Sequence, residues 1–218
     1  MPLSAFRQTS VYQKTTPQPP ATFQIPLICV CGCFLGICFL VFSGLGQQWD
    51  IALSEIVRTV LPREFAPVAK LSYFSGNAPV AGSLVFISLV ILGRHRRWHE
   101  VRAIAFSTLF ILILIDRVLK PFFDVARPDN PLVLHLSGHS FPSGHAAGNL
   151  LLYFLWSYFL SKKRPTLRGL SYGVAIALMI LMGISSVYVG AHWVSDVLAG
   201  YCMGYAIYSV TVRYLERS

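Results

Sequence analysis

Charged side chains are scarce in this sequence. Asp, Glu, Lys and Arg make up 12% of its 218 residues, whereas apolar types make up 55%. An ordinary soluble domain carries about twice that charge, so the shortage excludes one. Acidic residues are scarcer still, with nine against 18 basic ones and a net charge of +9. The basic residues fall in short turn-like stretches such as GRHRRWHEVR and SKKRPTLR. Nucleic-acid binding would need them gathered on one folded face, so no nucleic-acid partner is expected. Cysteines are few, and four of the five (Cys29, Cys31, Cys33 and Cys38) lie inside one apolar run. Thiols there act as small hydrophobes, and no metal site is expected of them.

What is abundant is apolar sequence in long runs, with no second globular stretch left over. A bilayer core asks for about 17–25 mostly apolar residues per helix. Six candidates can be marked: Ile25 to Gly46, Ala78 to Gly93, Arg102 to Leu119, His145 to Leu160, Leu170 to Ile184 and Asp196 to Arg213. The expected fold class is therefore all-α, a bundle of six transmembrane helices forming one membrane domain over residues 25–218. The first run is longer than the apolar core of a secretory signal, follows a polar stretch and has no small-residue cleavage site, so it reads as a retained helix. Residues 1–24, rich in Pro, Thr and Gln, read as a mobile cytoplasmic tail.

Basic residues divide twelve against six between the two sides that six spans create. The excess of Lys and Arg on one side orients both termini to the cytoplasm. Gly32 with Gly36, and Gly200 with Gly204, have the spacing that lets helices approach closely. After the first span, Ile51, Ile56, Val57, Val60 and Leu61 recur at near-helical spacing. They suggest an amphipathic helix lying in the membrane interface, with Trp49 and Tyr73 anchoring its ends, or equally a surface helix packed on the bundle.

Against this background the polar residues gather in two loops on the non-cytoplasmic side, KPFFDVARPDNPLVLHLSGHSFPSGH and SSVYVGAHWVSD. An isolated Lys there would be an interfacial anchor. Lys120 with Arg127, whose backbone is followed by Pro128, instead suits phosphate oxygens, which accept both point-charge and bidentate contacts. Ser143 and Gly144 stand where the fourth span begins. A helix start exposes backbone N–H groups, and Gly144 lets an anion approach them; Ser143 reads equally well as an ordinary N-cap. His145 follows, able to give a proton to a departing oxygen. His192 and Asp196 are four residues apart, which on a helix lets the carboxylate hold one ring nitrogen and leave the other free.

These residues resemble the type 2 phosphatidic acid phosphatase (PAP2) superfamily, specifically its integral-membrane lipid phosphate phosphatases. The pattern has three parts: Lys, six residues and Arg-Pro; Pro-Ser-Gly-His; and Ser-Arg, five residues, His, three residues and Asp. KPFFDVARP (Lys120 to Pro128), PSGH (Pro142 to His145) and SSVYVGAHWVSD (Ser185 to Asp196) follow it in order and spacing. The resemblance implies that His192 is the nucleophile, carrying a phosphohistidine, with Asp196 orienting it. It implies that His145 protonates the leaving group and then activates water. Lys120, Arg127, Ser143 and the Gly144 amide would hold the phosphoryl oxygens, with no metal or other cofactor.

One position departs from the pattern. Ser186 stands where the family has Arg, and a missing transition-state donor commonly costs about 3–4 kcal/mol. Three readings stay open: another cation, Arg117 or Arg63, fills in; Ser186 donates a weaker hydrogen bond; or the chain binds phosphate without turning it over. The expected function is hydrolysis of a lipid phosphate monoester or diphosphate at the outer membrane face. The substrate would be of the phosphatidate, phosphatidylglycerol phosphate, isoprenyl diphosphate or lipid A class. The alternatives are a lipid phosphotransferase using the same intermediate and a non-catalytic lipid-phosphate binder.

Overall fold

A computed structural model of the chain describes residues 26–133, 136 and 138–217. The tail expected at residues 1–24 lies outside these. All regular structure among the described residues is helical. In chain order it comprises α1 (Leu27–Phe42), α2 (Gln47–Val60), α3 (Ala66–Ser75), α4 (Ala78–Arg94), α5 (Trp98–Ile113), α6 (Lys120–Phe123), α7 (Gly144–Lys163), α8 (Arg168–Tyr188) and α9 (Val194–Arg217). A π-helical turn, Leu114–Leu119, joins α5 to α6. Each of the six apolar runs thus contains a helix. Pro165–Tyr188 is by itself long and apolar enough to cross a membrane; α1 with α2, and α3 with α4, pass the same test only as bent pairs, with bends of 102° and 47°.

The apolar residues sit on both sides of these helices. Phe39, Phe86, Phe106, Leu170 and Ile180 are exposed on the outside of the bundle, while Ile104, Leu151 and Leu155 are fully buried within it. A helix that is apolar all round belongs in a protein core or in lipid. In lipid the hydrophobic effect gives neighbouring helices little reason to associate, so close packing has to supply the contact energy.

That packing centres on α7, which touches α8, α9, α5 and α4. α9 lies against it through small residues. A Cβ on Gly200 would stand 2.5 Å from the Ser143 carbonyl oxygen, and one on Gly204 would stand 2.5 Å from that of Ala147. The Gly200/Gly204 pair therefore works as its spacing suggests. Gly32 and Gly36 have nothing within 4 Å of where a Cβ would sit, so the same spacing on α1 marks no close contact among the described residues.

The segment after α1 is two helices, separated at Pro62, which cannot supply the N–H that would continue α2. α2 exposes Trp49, Ile56 and Val60, and it buries Asp50 and Ser54 against the bundle. Tyr73 corrects the sequence reading. It is 5% exposed and packs inside the protein, leaving only Trp49 in the place of an anchor.

Candidate active site

The two motif-bearing loops meet at one end of the bundle, stitched by backbone hydrogen bonds. Leu132 N–H donates to the Val189 carbonyl at 2.8 Å, Ser140 N–H to that of Val125 at 2.8 Å, and Ser143 N–H to that of Asp196 at 3.0 Å. Burial without such pairing would be costly for these loop amides.

His192 and Asp196 form the centre, 1% and 0% exposed. His192 precedes the helix and does not belong to it, since α9 starts at Val194. The pair meets because Asp196, in the first turn, reaches back: its Oδ2 accepts the Trp193 N–H at 2.8 Å and lies 3.2 Å from His192 Nδ1. That is the reciprocal half of a capping box, here used to aim an imidazole. The same oxygen accepts the Ser140 hydroxyl at 2.5 Å. With Nδ1 turned to the carboxylate, Nε2 of His192 is the nitrogen left for chemistry. Burial pushes the His192 imidazole below the usual histidine range, against the opposing pull of Asp196; the positive charges of Arg127 and Lys120 add to the depression. The ring is therefore neutral near pH 7, as a nitrogen nucleophile must be.

His145 faces it, with ring centroids 6.1 Å apart. Its Nε2 lies 2.7 Å from Asn77 Oδ1, an acceptor that keeps a proton on that nitrogen. Its ring stacks on Tyr73 with centroids 4.9 Å apart. Asn149, one helical turn on, donates to the carbonyls of His145 and Gly76 at 2.9 and 3.2 Å. This fixes the α3–α4 turn beside the histidine.

The cations have fixed places. Arg127 donates to the backbone carbonyls of Ala191 at 2.6 Å, Gly138 at 3.2 Å and His139 at 3.5 Å. Lys120 pairs with Asp116, Nζ to Oδ1 2.7 Å. Ser143 is the N-cap of α7, its Oγ accepting the Ala146 N–H at 3.3 Å. A Cβ on Gly144 would meet only Ile115, at 3.8 Å, so packing within the protein does not demand glycine there. Beside these residues lies a cavity of about 290 Å³. Lys120 with its partner Asp116, His145 and Asn149 line its polar part, and Val85, Ile111 and Leu152 its apolar part.

Ser186 is buried, and its hydroxyl donates to its own helix at the Met182 carbonyl, 2.8 Å away. Its carbonyl accepts from Ala191 and His192 N–H at 3.0 and 3.3 Å, so the backbone at this position shapes the turn that carries His192. Arg63 and Arg117 are both exposed and do not line the cavity.

The profile of the PAP2 superfamily matches residues 101–218, which carry all three motifs. This chain belongs to the PAP2 superfamily. Phosphatidylglycerophosphatase B of Bacillus subtilis is 36% identical over 107 residues, 48% of this PAP2 chain and 53% of that protein. Lipid A 1-phosphatase of Rhizobium etli is 30% identical over 114 residues, 48% of this chain and 46% of that one. The chain thus spans about half the length of these two curated relatives. In three dimensions it is similar to the crystal structure of a transmembrane PAP2 type phosphatidylglycerolphosphate phosphatase from Bacillus subtilis. There the TM-score is 0.79 at 26% identity, covering 88% of this chain and 96% of the other.

Several residues around the PAP2 motifs escaped the sequence reading. Ser140, Asn77, Tyr73 and Asn149 each touch a motif residue. Ser140, two positions before Pro142, and Asn149, one helical turn after His145, are near a motif in the chain; no periodicity or spacing marks Asn77 and Tyr73.

Proposed function

We propose that this PAP2 protein is an integral-membrane phosphatase that hydrolyses a lipid phosphate monoester or diphosphate through a phosphohistidine on His192. The observation that carries the proposal is the meeting of His192, aimed by Asp196, with His145 beside a cavity that is polar in one part, where Lys120 pairs with Asp116, and apolar in another. Such a cavity suits a molecule with a phosphate at one end and a hydrocarbon tail at the other.

In the reaction, Nε2 of His192 attacks phosphorus and the P–O bond to the lipid breaks. His145 enters this step as an imidazolium; the leaving oxygen takes its Nε2 proton, at the place where Asn77 Oδ1 now accepts it, and the ring is left neutral. Asp196 stabilises the positive imidazole ring that results. Water then attacks phosphorus and loses its proton to His145; the P–N bond breaks, releasing phosphate and neutral His192. Lys120, Arg127 and the first amides of α7 balance the phosphoryl charge. For a diphosphate the leaving group is a lipid monophosphate.

The same reading takes six of the helices as spans (α1, α4, α5, α7, α8 and α9), with both termini cytoplasmic and the site at the opposite face. α2, turned 102° from α1 with its apolar side outward, fits a helix lying along the interface. A scan of single cysteines with a membrane-impermeant thiol reagent tests it. Labelling near Gly138 from the cytoplasmic side alone would refute this orientation.

Function is tested by phosphate release from purified protein in detergent, offered phosphatidate, phosphatidylglycerol phosphate, isoprenyl diphosphates and lipid A. His192→Ala should release none, while circular dichroism shows it folded. Activity retained in that variant removes His192 from the nucleophile's role. A phosphorylated acceptor lipid in place of free phosphate would indicate transfer. Because Ser186 presents no charge, a phosphate binder without turnover is the second reading. It requires that rapid quench of the native protein never traps phosphate on His192.

A further inference from the structure

The opening turn of α9 has an unusual cap. Trp193 occupies the N-cap position, and its indole offers no oxygen to the orphan amides of the first turn. Asp196 takes the N–H of Trp193 itself. The amide of Ser195 is taken by Asp50, which comes from α2. Ser195 N–H donates to Asp50 Oδ1 at 2.9 Å, and the Ser195 hydroxyl donates to Asp50 Oδ2 at 2.5 Å. Asp50 is 9% exposed. A carboxylate is costly to bury unless its bonds repay it, and both of its oxygens are used on one residue at a helix start whose dipole favours negative charge.

The same face of α2 also reaches the start of the turn, through Arg58. Ser54 and Arg58 follow Asp50 at intervals of four, in one stripe. Ser54 is buried, and Arg58 Nη2 packs on Gly190 and lies 3.4 Å from the Asn130 carbonyl oxygen. Gly190 has φ +72°, a left-handed conformation that glycine adopts without strain, and a Cβ there would collide with that guanidinium. α2 thus presents its polar side to the segment 190–195, which includes His192, and its apolar side outward.

We propose that Asp50 is a positioning residue for His192 and Asp196: it caps α9 across the fold and so fixes the turn that aims the nucleophile. This rests on the phosphohistidine reading above. Among the described residues Asp50 hydrogen-bonds to neither histidine; it acts through the Ser195 amide, next in the chain to Asp196.

The test compares the full-length native protein with Asp50→Ala, Asp50→Asn and Ser195→Ala in detergent, with phosphatidate as the probe. In Asp50→Ala, kcat should fall at least about tenfold, since small misplacements of a reacting group are costly, while KM stays within about threefold. Asp50→Asn keeps an oxygen for the Ser195 amide and should recover part of that loss. Ser195→Ala keeps the amide bond and removes the hydroxyl, so it should lose less than Asp50→Ala and serves if that variant fails to fold. Native kcat in Asp50→Ala and Ser195→Ala, or a loss matching only the unfolded fraction, overturns the proposal. Amide exchange reads the cap without turnover: Ser195 should exchange faster in Asp50→Ala, and unchanged exchange there also overturns it. An inactive native protein with faster exchange would instead fault the phosphatase reading and leave the cap standing.

Discussion

Asp196→Asn separates the charge of this carboxylate from its shape. In the native site Oδ2 gathers three donors: Ser140 Oγ, the Trp193 N–H and His192 Nδ1. Oδ1 is buried and has no hydrogen-bond partner among the described residues. Asparagine can place its carbonyl oxygen in either position. With oxygen at the Oδ2 place it keeps all three bonds and buries a new NH2 without an acceptor, at about 1–3 kcal/mol. The reverse orientation sets NH2 against three donors and is worse, so the first is expected and the imidazole stays in place. Under the proposed phosphohistidine mechanism, what disappears is the negative charge facing a ring that becomes positive when it takes the phosphoryl group. Removing one group that stabilises transition-state charge costs roughly 10²–10³-fold in kcat. Phosphate release under saturating substrate measures this, and rapid quench shows whether formation of the phosphohistidine is the step that slows. A variant within about threefold of native kcat, folded and with unchanged KM, would refute the assignment of Asp196 to charge stabilisation.

Other predictions follow from the same geometry. Ser140→Ala removes a buried hydrogen bond to a carboxylate, worth about 1.5–3 kcal/mol; a lower melting temperature with reduced kcat is expected, and native values of both would deny Ser140 its role. Because burial depresses the pKa of His192, the unfolded chain binds a proton below about pH 6.5 that the folded site refuses. Stability should therefore fall as pH drops from there toward the depressed native value, and the acid limb of kcat/KM should lie below pH 6.5; a limb above pH 7 contradicts a neutral His192. His192→Ala should flatten that part of the stability profile, as read by melts across pH. Gly204→Leu forces α9 off α7 and should cost about 1–3 kcal/mol or more, seen as a lower melting temperature.

The sequence alone reached what depends on neighbours along the chain. The apolar runs became helices because composition decides which stretches can satisfy their own backbone in lipid. Ser143 caps α7 as its residue type suggests, and Gly200 with Gly204 forms a close seam. The His192–Asp196 spacing brought the pair together, although through a cap and a turn in place of a helical face. The motifs named the histidines and the cations, since phosphate chemistry restricts the residue types that serve it.

Other features depend on which segments the fold brings together. Asn77 and Tyr73 stand against His145, 68 and 72 positions later, because the α3–α4 turn meets the start of α7. Asp50 caps a helix 145 positions away. Arg58, which no spacing singled out, rests on Gly190, while Arg63 and Arg117, the two the sequence offered as replacement cations, are exposed and do not line the cavity. A side chain's type and spacing record what it is able to do. Which partner it meets is set by helix packing, a sum over many weak contacts distributed through the bundle that no local stretch of sequence contains.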